Sequence, residues 1–575
     1  MKRHMEQFRR HLWLRRVCYG LMVLAAGAIF GFMGFHPDQG ASSNRSFLSL
    51  PTSMTIPYYW QRETKLQTLS SEMQIEDVIS FGSEVLFLVR VPSSFGFPNK
   101  ERLQCQFGSP THSSSQTKVL AVDLQESLAA VVCGAPPVDV LWDTSSALIK
   151  LDKDQEIRTG NGNPQYRAPL PWNSTKVVYE IFSTEKDVAL FAHGLNQTLI
   201  AELPEPKELK QFKCVYANGF ETAVTAQANE VFRCGHPPKS MLNAVAGKKM
   251  GLKFEGNNLP SVAYYNPQTF KSVEIQVPAK EGPSRKKSTP HHICACTMIY
   301  NVAKFLREWV YFHNHLGVEK FFFYDNNSED NLDEILASLA GFNVAKHSWP
   351  WVKTQEAAFS HCSLLAKSEC EWMLFTDVDE YFFPSERFLS ENKTSILASF
   401  IEEVVASKAK EDVKVGQIAT YCNNYGPSGL RVSPSKGVTQ GYTCRIKRHR
   451  RHKSVVKLSA IEESLGNQVH HFSLKPPYVN EKIRPGVAII NHYKFQVWDE
   501  FKTKFHRRAA TYVADWTEER NYGSNDRVPG LGTKPVKPDD WESRYCEVQD
   551  YSLRDYTRRI FGSQGKAGKL HLAWE

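Results

Sequence analysis

Two carboxylates one residue apart close an apolar stretch at residues 372–380, Trp-Met-Leu-Phe-Thr-Asp377-Val-Asp379-Glu380. Side chains at i and i+2 share a face of an extended segment. Asp377 and Asp379 could therefore hold a hard divalent cation, and the cation a diphosphate. A second polar set, Asp325-Asn326-Asn327-Ser328, follows the apolar run 318–324. Asp and Asn there can bond a ribose or base, and they equally favour an Asx turn. His492 follows the apolar residues 487–490 and could add an imidazole to the same cation. Lys504 offers charge for phosphate. Residues 445–453 hold six Lys or Arg and no acid, including Arg448, Arg450 and Arg451. Such a run suits an acidic polysaccharide, a diphosphate or a solvated loop.

These residues need a scaffold. Residues 292–298 predict a buried strand leading into Tyr300 and Asn301. Over 302–316, apolar Val302, Phe305, Leu306, Trp309, Val310 and Leu316 recur at helical spacing, stopped by Gly317. A strand over 318–324, a helix over 331–339, a strand over 343–348, a helix over 354–368 and a strand over 372–376 follow. Alternation of this kind implies a mainly parallel sheet covered on both faces, with ligands at the carboxyl ends of its strands. No dinucleotide fingerprint, Walker loop, nucleophile elbow or zinc-protease motif is present.

Residues 56–277 read differently. Short strands at 84–91, 118–123, 129–133, 177–182, 188–192 and 272–277 lie between Gly, Pro and Asn turns, which predicts a β-sandwich. A cysteine pattern occurs twice: Cys105 leads to Cys133-Gly-Ala-Pro-Pro, and Cys214 leads to Cys234-Gly-His-Pro-Pro. Two local disulfides, Cys105–Cys133 and Cys214–Cys234, are expected. Trp142, Trp172, Tyr264 and Tyr265 are candidates for stacking on sugars if this region is an accessory carbohydrate-binding domain. Residues 278–291, rich in Pro and Lys, read as a linker to the domain at 292–575.

The net charge of +9 invites a nucleic-acid reading. However, residues 1–16 carry +5 and residues 445–453 carry +6, leaving −2 for the rest of the chain. The first group is a cytosolic tail before an uncharged apolar run at 17–35, long enough for a transmembrane anchor. A stem at 36–55 follows. This arrangement predicts a single-pass membrane protein with a lumenal body and no nucleic-acid partner. Of twelve cysteines, Cys18 falls in the anchor, so at least one of the other eleven is unpaired in a monomer and a homodimer is permitted. Asn44, Asn173, Asn196, Asn326 and Asn392 lie in sequons, and all but Asn326 are taken as glycosylation candidates.

The stretch Tyr300–Val318 (YNVAKFLREWVYFHNHLGV), then Tyr324-Asp-Asn-Asn-Ser328, Asp377-Val-Asp379-Glu380, and His492-Tyr493 with Lys504, resembles glycosyltransferase family 92. With its anchor, Cys-Gly-x-Pro-Pro repeats and basic run, the chain is similar to the plant branch that elongates β-1,4-galactan. The resemblance implies a GT-A fold, manganese and a UDP-galactose donor. It implies inverting transfer to the 4-hydroxyl of a terminal β-galactose on rhamnogalacturonan I side chains, in the Golgi membrane. It assigns Asp377, Asp379 and His492 to the metal, and Tyr300, Asn301, Lys304, Asp325, Asn326 and Lys504 to the nucleotide sugar. The catalytic base stays open among Asp499, Glu500 and Glu380. Trp349 and Trp351, or Tyr421 and Tyr425, could stack on the acceptor, with the basic run tracking its polymer. An arabinopyranose donor, or a scaffold that binds without turnover, are the alternatives.

Overall fold

The computed structural model describes residues 73–92, 96–109, 113–125, 127–151, 155–159, 168–195, 211–267, 291–389, 395–408, 412–507, 537–565 and 568–575. They belong to one compact unit, Glu63–Glu575. The anchor, the stem, the strand expected at 272–277, nearly all of the linker, and Asn44, Asn196 and Asn392 lie outside the described residues. Among the described residues no helix is long and apolar enough to cross a membrane.

The C-terminal part is built on a nine-stranded mixed sheet. Its elements in chain order are β1 (His291–Ile299), α1 (Ala303–Leu316), β2 (Lys320–Asp325), α2 (Leu332–Ser338), β3 (Val344–Ser348), α3 (Gln355–Leu365), β4 (Cys370–Phe375) and β5 (Glu380–Pro384). Then come α4 (Ile396–Lys408), β6 (Lys414–Asn424), β7 (Arg450–Lys457), β8 (Tyr478–Ile483), β9 (Ala488–His492), α5 (Trp498–Arg507) and α6 (Ser552–Phe561). The order across the sheet is β3-β2-β1-β4-β7-β6-β9-β5, with β8 also on β6. The first four run parallel, so the ends of β1, β2 and β4 open onto one edge. The elements expected between 292 and 376 are all found, and Gly317 ends α1 at φ 106°. That left-handed conformation suits glycine.

Alternation along β1 explains the layering. Ile293, Ala295 and Ile299 pack with Leu306, Trp309 and Val310 of α1. Cys294, Cys296 and Met298, on the other face, join a core with Phe359 of α3 and with Leu86, Leu88, Tyr179 and Phe191 of the β-rich region. One face of the sheet is thus covered partly by strands rather than wholly by helices. Each fully buried aliphatic or aromatic side chain contributes roughly 1.5–3 kcal/mol to this packing. Disulfides Cys294–Cys370 and Cys296–Cys362 tie β1 to β4 and α3. Cys444–Cys546 pins the C-terminal segment, and Cys422 is a buried free thiol.

The β-rich region is not one sandwich. It is one seven-strand arrangement made twice. In the first copy a hairpin (Gln74–Ser80, Glu84–Arg90) precedes three strands (Leu103–Ser109, Ser113–Gln125, Leu128–Gly134) and a second hairpin (Leu148–Leu151, Glu156–Thr159). In the second, Val177–Ser183, Val188–His193, Phe212–Val215, Glu221–Ala228, Val231–Cys234, Gly251–Phe254 and Asn257–Asn258 follow in the same order across the sheet. The registers agree in detail. Cys105 faces Thr117 and Cys133 faces Val119, as Cys214 faces Thr222 and Cys234 faces Val224. Both expected disulfides form, each joining the outer strands of a three-strand meander inside its own core. In the first copy the last strand pairs parallel with the first, closing a barrel.

Trp172 is 1% and Tyr265 0% exposed, so neither stacks on a sugar. Asn173 is exposed.

Candidate active site

The acidic pair lies where β4 ends, but not in an extended segment. Residues 377–380 form a turn closed by Glu380 N–H donating to Asp377 O at 3.0 Å, while Glu380 Oε2 accepts from Asp377 N–H at 3.0 Å. Trp309 Nε1 holds the Glu380 carbonyl at 3.1 Å, and Tyr493 N–H holds that of Asp379 at 2.9 Å. The turn sends the two aspartates to different partners.

Asp379 meets β9. The antiparallel register of β5 and β9 sets Glu380 opposite His492. His492 Nδ1 is 3.4 Å from Glu380 Oε1, and Nε2 is 3.4 Å from Asp379 Oδ2. Burial pushes His492 down to about 4, against the pull of Asp379, so the ring is neutral. In the tautomer that carries its proton on Nδ1, toward Glu380, Nε2 presents a lone pair to a carboxylate. That nitrogen is buried and has no hydrogen-bond partner. Two facing acceptors are repulsive unless a cation lies between them. Lys504 of α5 reaches Asp379 Oδ2 from above. Burial would raise the Asp379 carboxyl, but Lys504 outweighs it and holds it well below the usual range.

Asp377 goes the other way. Lys453 of β7 contacts Asp377 Oδ2 at 3.0 Å, Glu380 Oε1 at 2.8 Å and His470 Nε2. His470 Nδ1 faces the Phe375 carbonyl at 3.1 Å. Here too burial opposes ionisation, and Lys453 overcomes it to keep Asp377 charged. Glu380, 0% exposed and flanked by both aspartates, is raised to about 7 by burial although Lys453 opposes this.

The structure thus corrects the expected ligand set. Asp379, Glu380 and His492 offer atoms within 4.8 Å of one another; Asp377 belongs instead with Glu380 and His470. Three residues were missed: Lys453, counted as the last charge of a surface run; His470; and Glu380 in its bridging role. The signal for Lys453 was the apolar Val455-Val456 that follows, which makes it the first inward residue of a strand.

The basic run is accordingly split. Arg445 pairs with Asp550 at 2.6 Å and Lys453 is buried, while Arg448 and Arg451 are exposed and Arg450 is half-buried. Trp349 and Trp351 do not face solvent either. Trp349 is enclosed by Tyr324, Phe191 and His361, and Trp351 stacks on Trp172 at 5.6 Å. Tyr425 is 1% exposed.

The nucleotide-sugar candidates gather at the same edge. Asn301, at φ 51°, accepts from the Glu329 N–H at 2.7 Å and receives Ser328 Oγ on its own N–H at 3.1 Å, clamping the β1 and β2 ends together. Tyr300 donates to Glu329 at 3.3 Å. Asp325 caps Ser328 N–H at 3.0 Å and is raised to about 6 by burial, with Lys346 opposing. Asn326 is buried and donates to the Trp349 carbonyl at 2.7 Å, so it offers no site for a glycan. Lys346 also lies 3.5 Å from Asp123 of the first β-rich copy, whose Lys100 reaches the Glu329 carbonyl at 3.1 Å. On α5, Glu500 pairs with Lys304 at 2.5 Å and accepts from Ser433 at 2.7 Å, while Asp499 is exposed.

The chain's likeness to known proteins agrees with this site. The profile of glycosyltransferase family 92 matches residues 289–522, which includes every acidic, histidine and lysine residue of the cluster. A family 92 protein of Ricinus communis is 35% identical over 551 residues, covering 93% of this chain and 90% of its own. One of Arabidopsis thaliana is 38% identical over 519 residues, 88% and 85% of the two chains. Among solved structures, a Pyrobaculum calidifontis mannosyltransferase in complex with GDP-Man and Mn2+ overlaps 39% of this chain and 63% of its own, at 11% identity and a TM-score of 0.24. An overlap that low carries no argument. On the sequence relatives, which span both the β-rich region and the catalytic sheet, the chain belongs to glycosyltransferase family 92.

Proposed function

We propose that this glycosyltransferase is a metal-dependent, inverting GT-A enzyme that transfers galactose from UDP-galactose to the 4-hydroxyl of a terminal β-galactose. Its acceptor is the β-1,4-galactan side chain of rhamnogalacturonan I. The observation that carries the metal reading is the orphaned, neutral His492 Nε2 facing Asp379. Oxygen ligands with one imidazole suit manganese. The residues fit such an ion: Asp379 and His492 would hold it, with Asp377 next to it. When bound, it neutralises the charge that develops on the leaving diphosphate.

The remaining work falls to side chains. Lys504 turns from Asp379 to the phosphates. Asp325 and the clamped 300–301 and 325–330 loops hold the nucleoside, and the acceptor hydroxyl enters against the sugar face opposite the diphosphate. An inverting displacement needs a carboxylate to take that hydroxyl's proton. Glu500 lies one turn before Lys504 on α5, hence on the same face. It pairs with Lys304, and we assign it the base role ahead of the more exposed Asp499. Glu380 is too buried for an acceptor to reach. The exposed Arg448 and Arg451, with the half-buried Arg450, follow an acidic polymer beyond the reacting end.

Five disulfides among the described residues support an oxidising compartment. The reading places the enzyme in the Golgi membrane, anchored by residues 17–35, with the body lumenal.

A donor screen on the full chain in detergent, with manganese, a galacto-oligosaccharide acceptor and linkage analysis of the product, tests this. UDP-galactose turnover with a new β-1,4 bond is expected. Turnover of another donor only, such as UDP-arabinopyranose, overturns the sugar. No turnover of any donor overturns the enzyme.

A further inference from the structure

The turn at 377–380 builds two similar sets of ligands around one shared carboxylate. Asp379, His492 and Lys504 lie on one side of Glu380; Asp377, His470 and Lys453 lie on the other. Either set has the donors for a divalent cation. The two lysines differ in how they are held.

Lys453 is 7% exposed and is fixed in the middle of a sheet, paired on one side with β6 and followed directly by the pairing to β4. An ammonium has three N–H groups. Lys453 sets them against three acceptors: Asp377 Oδ2 at 3.0 Å, Glu380 Oε1 at 2.8 Å and His470 Nε2. His470 Nδ1 lies 3.1 Å from the Phe375 carbonyl, which fixes the tautomer so that Nε2 is the acceptor. Two of the N–H groups are hydrogen-bonded, to Asp377 and His470, the ammonium lies 2.8 Å from Glu380 as an ion pair, and the His470 lone pair is used. Lys504 makes one contact in the cluster, to Asp379, and sits near the end of a helix with a fifth of its side chain exposed. His492 Nε2 beside it is unmatched.

We infer that Lys453 is an internal cation that permanently takes the place of a second divalent ion, so that the protein binds one ion only, on the Asp379–His492 side. Lys453 is on this account a positioning residue. Its charge lets Asp377, Asp379 and Glu380 be packed together without a second metal, and it orients Asp377 toward the edge where the donor binds. Lys504 is the displaceable counterpart, covering Asp379 until an ion arrives. The inference rests on the cation reading proposed above.

The test is the number of Mn2+ ions bound per full-length chain in detergent. The count is read by equilibrium dialysis with elemental analysis, and by the Mn2+ EPR line shape, which reports whether two ions sit side by side. The wild type is expected to hold one magnetically isolated ion. Lys453→Ala is expected to hold two, spin-coupled, and Lys453→Arg to stay at one. Should Lys453→Ala be unstable without metal, Mn2+ is expected to raise its melting temperature several-fold more than it raises that of the wild type. Two ions on the wild type, or one ion on a folded Lys453→Ala whose melting temperature responds to Mn2+ as the wild type's does, would overturn the inference. No ion on the wild type overturns the cation reading itself, and this inference with it.

Discussion

The two sides of Glu380 have the same residue types and different fates. Lys453 comes from a central strand, is held by Asp377, Glu380 and His470 together and is closed off from solvent. Lys504 comes from a helix at the rim and touches the cluster only through Asp379. The difference shows how a cluster of three carboxylates can be both stable and reactive. One side is neutralised for good by the fold. The other is left with an unmatched imidazole nitrogen and a cation that can leave.

The largest contrast should come from the reactive side. Asp379→Asn or His492→Ala should cut transferase turnover by about 10³-fold or more, by the loss of charge stabilisation at the leaving group. The melting temperature should change little, since each substitution also relieves a buried charge or lone pair. Steady-state kinetics beside thermal denaturation checks both.

Next is stability on the closed side. Lys453→Met strips the counter-charge from the buried Glu380 and the half-buried Asp377 and should cost about 3–5 kcal/mol in denaturant unfolding. Lys504→Met should cost about 1 kcal/mol or less. It should also tighten Mn2+ binding while weakening UDP binding. Equal stability losses for the two lysines would erase the distinction drawn here.

A third test uses a buried acid outside the cluster. Glu308 accepts from Val438 N–H, Thr439 N–H and the Thr439 hydroxyl, and burial raises it to about 7. Its folded value lies above the unfolded one. Its protonated form therefore stabilises the fold fully below about pH 4.5, and that contribution is lost as the pH rises through 7. Glu308→Gln should flatten the decline in stability between pH 5 and 8 by on the order of 2 kcal/mol. A slope unchanged from the wild type would contradict the assignment and leave the acids at 377–380 as its source.

The smallest effect expected is at the domain contact. Asp123→Asn removes one carboxylate from Lys346, which also faces Asp325 at 4.0 Å. The KM for donor should rise by about two- to fivefold with kcat unchanged, an effect of about 1 kcal/mol or less as befits a partly exposed pair.

Much of this was legible in the chain because local patterns decide it. The run 292–376 alternates strand and helix with unambiguous periods, and Asp377 and Asp379 follow a strand that must be buried. The paired Cys-Gly-x-Pro-Pro motifs marked two disulfides, and in retrospect a duplicated seven-strand unit. What the chain did not disclose depends on long-range register. Lys453 looked like surface because its neighbours from Arg448 to Arg451 are; only its place opposite β4 and β6 turns it inward. Asp377 and Asp379 share a face in an extended segment, but the Glu380 side chain folds the segment into a turn and parts them. Trp349 and Trp351 could not be told from sugar platforms until the β-rich region was seen to pack over them.

The most direct test of the central claim is Mn2+-dependent binding of UDP-galactose, measured calorimetrically on the full chain and on His492→Ala. The account predicts tight binding to the wild type only with Mn2+ present, and loss of that metal dependence in His492→Ala. Binding that is indifferent to Mn2+ in the wild type, or equally metal-dependent in the variant, would contradict it.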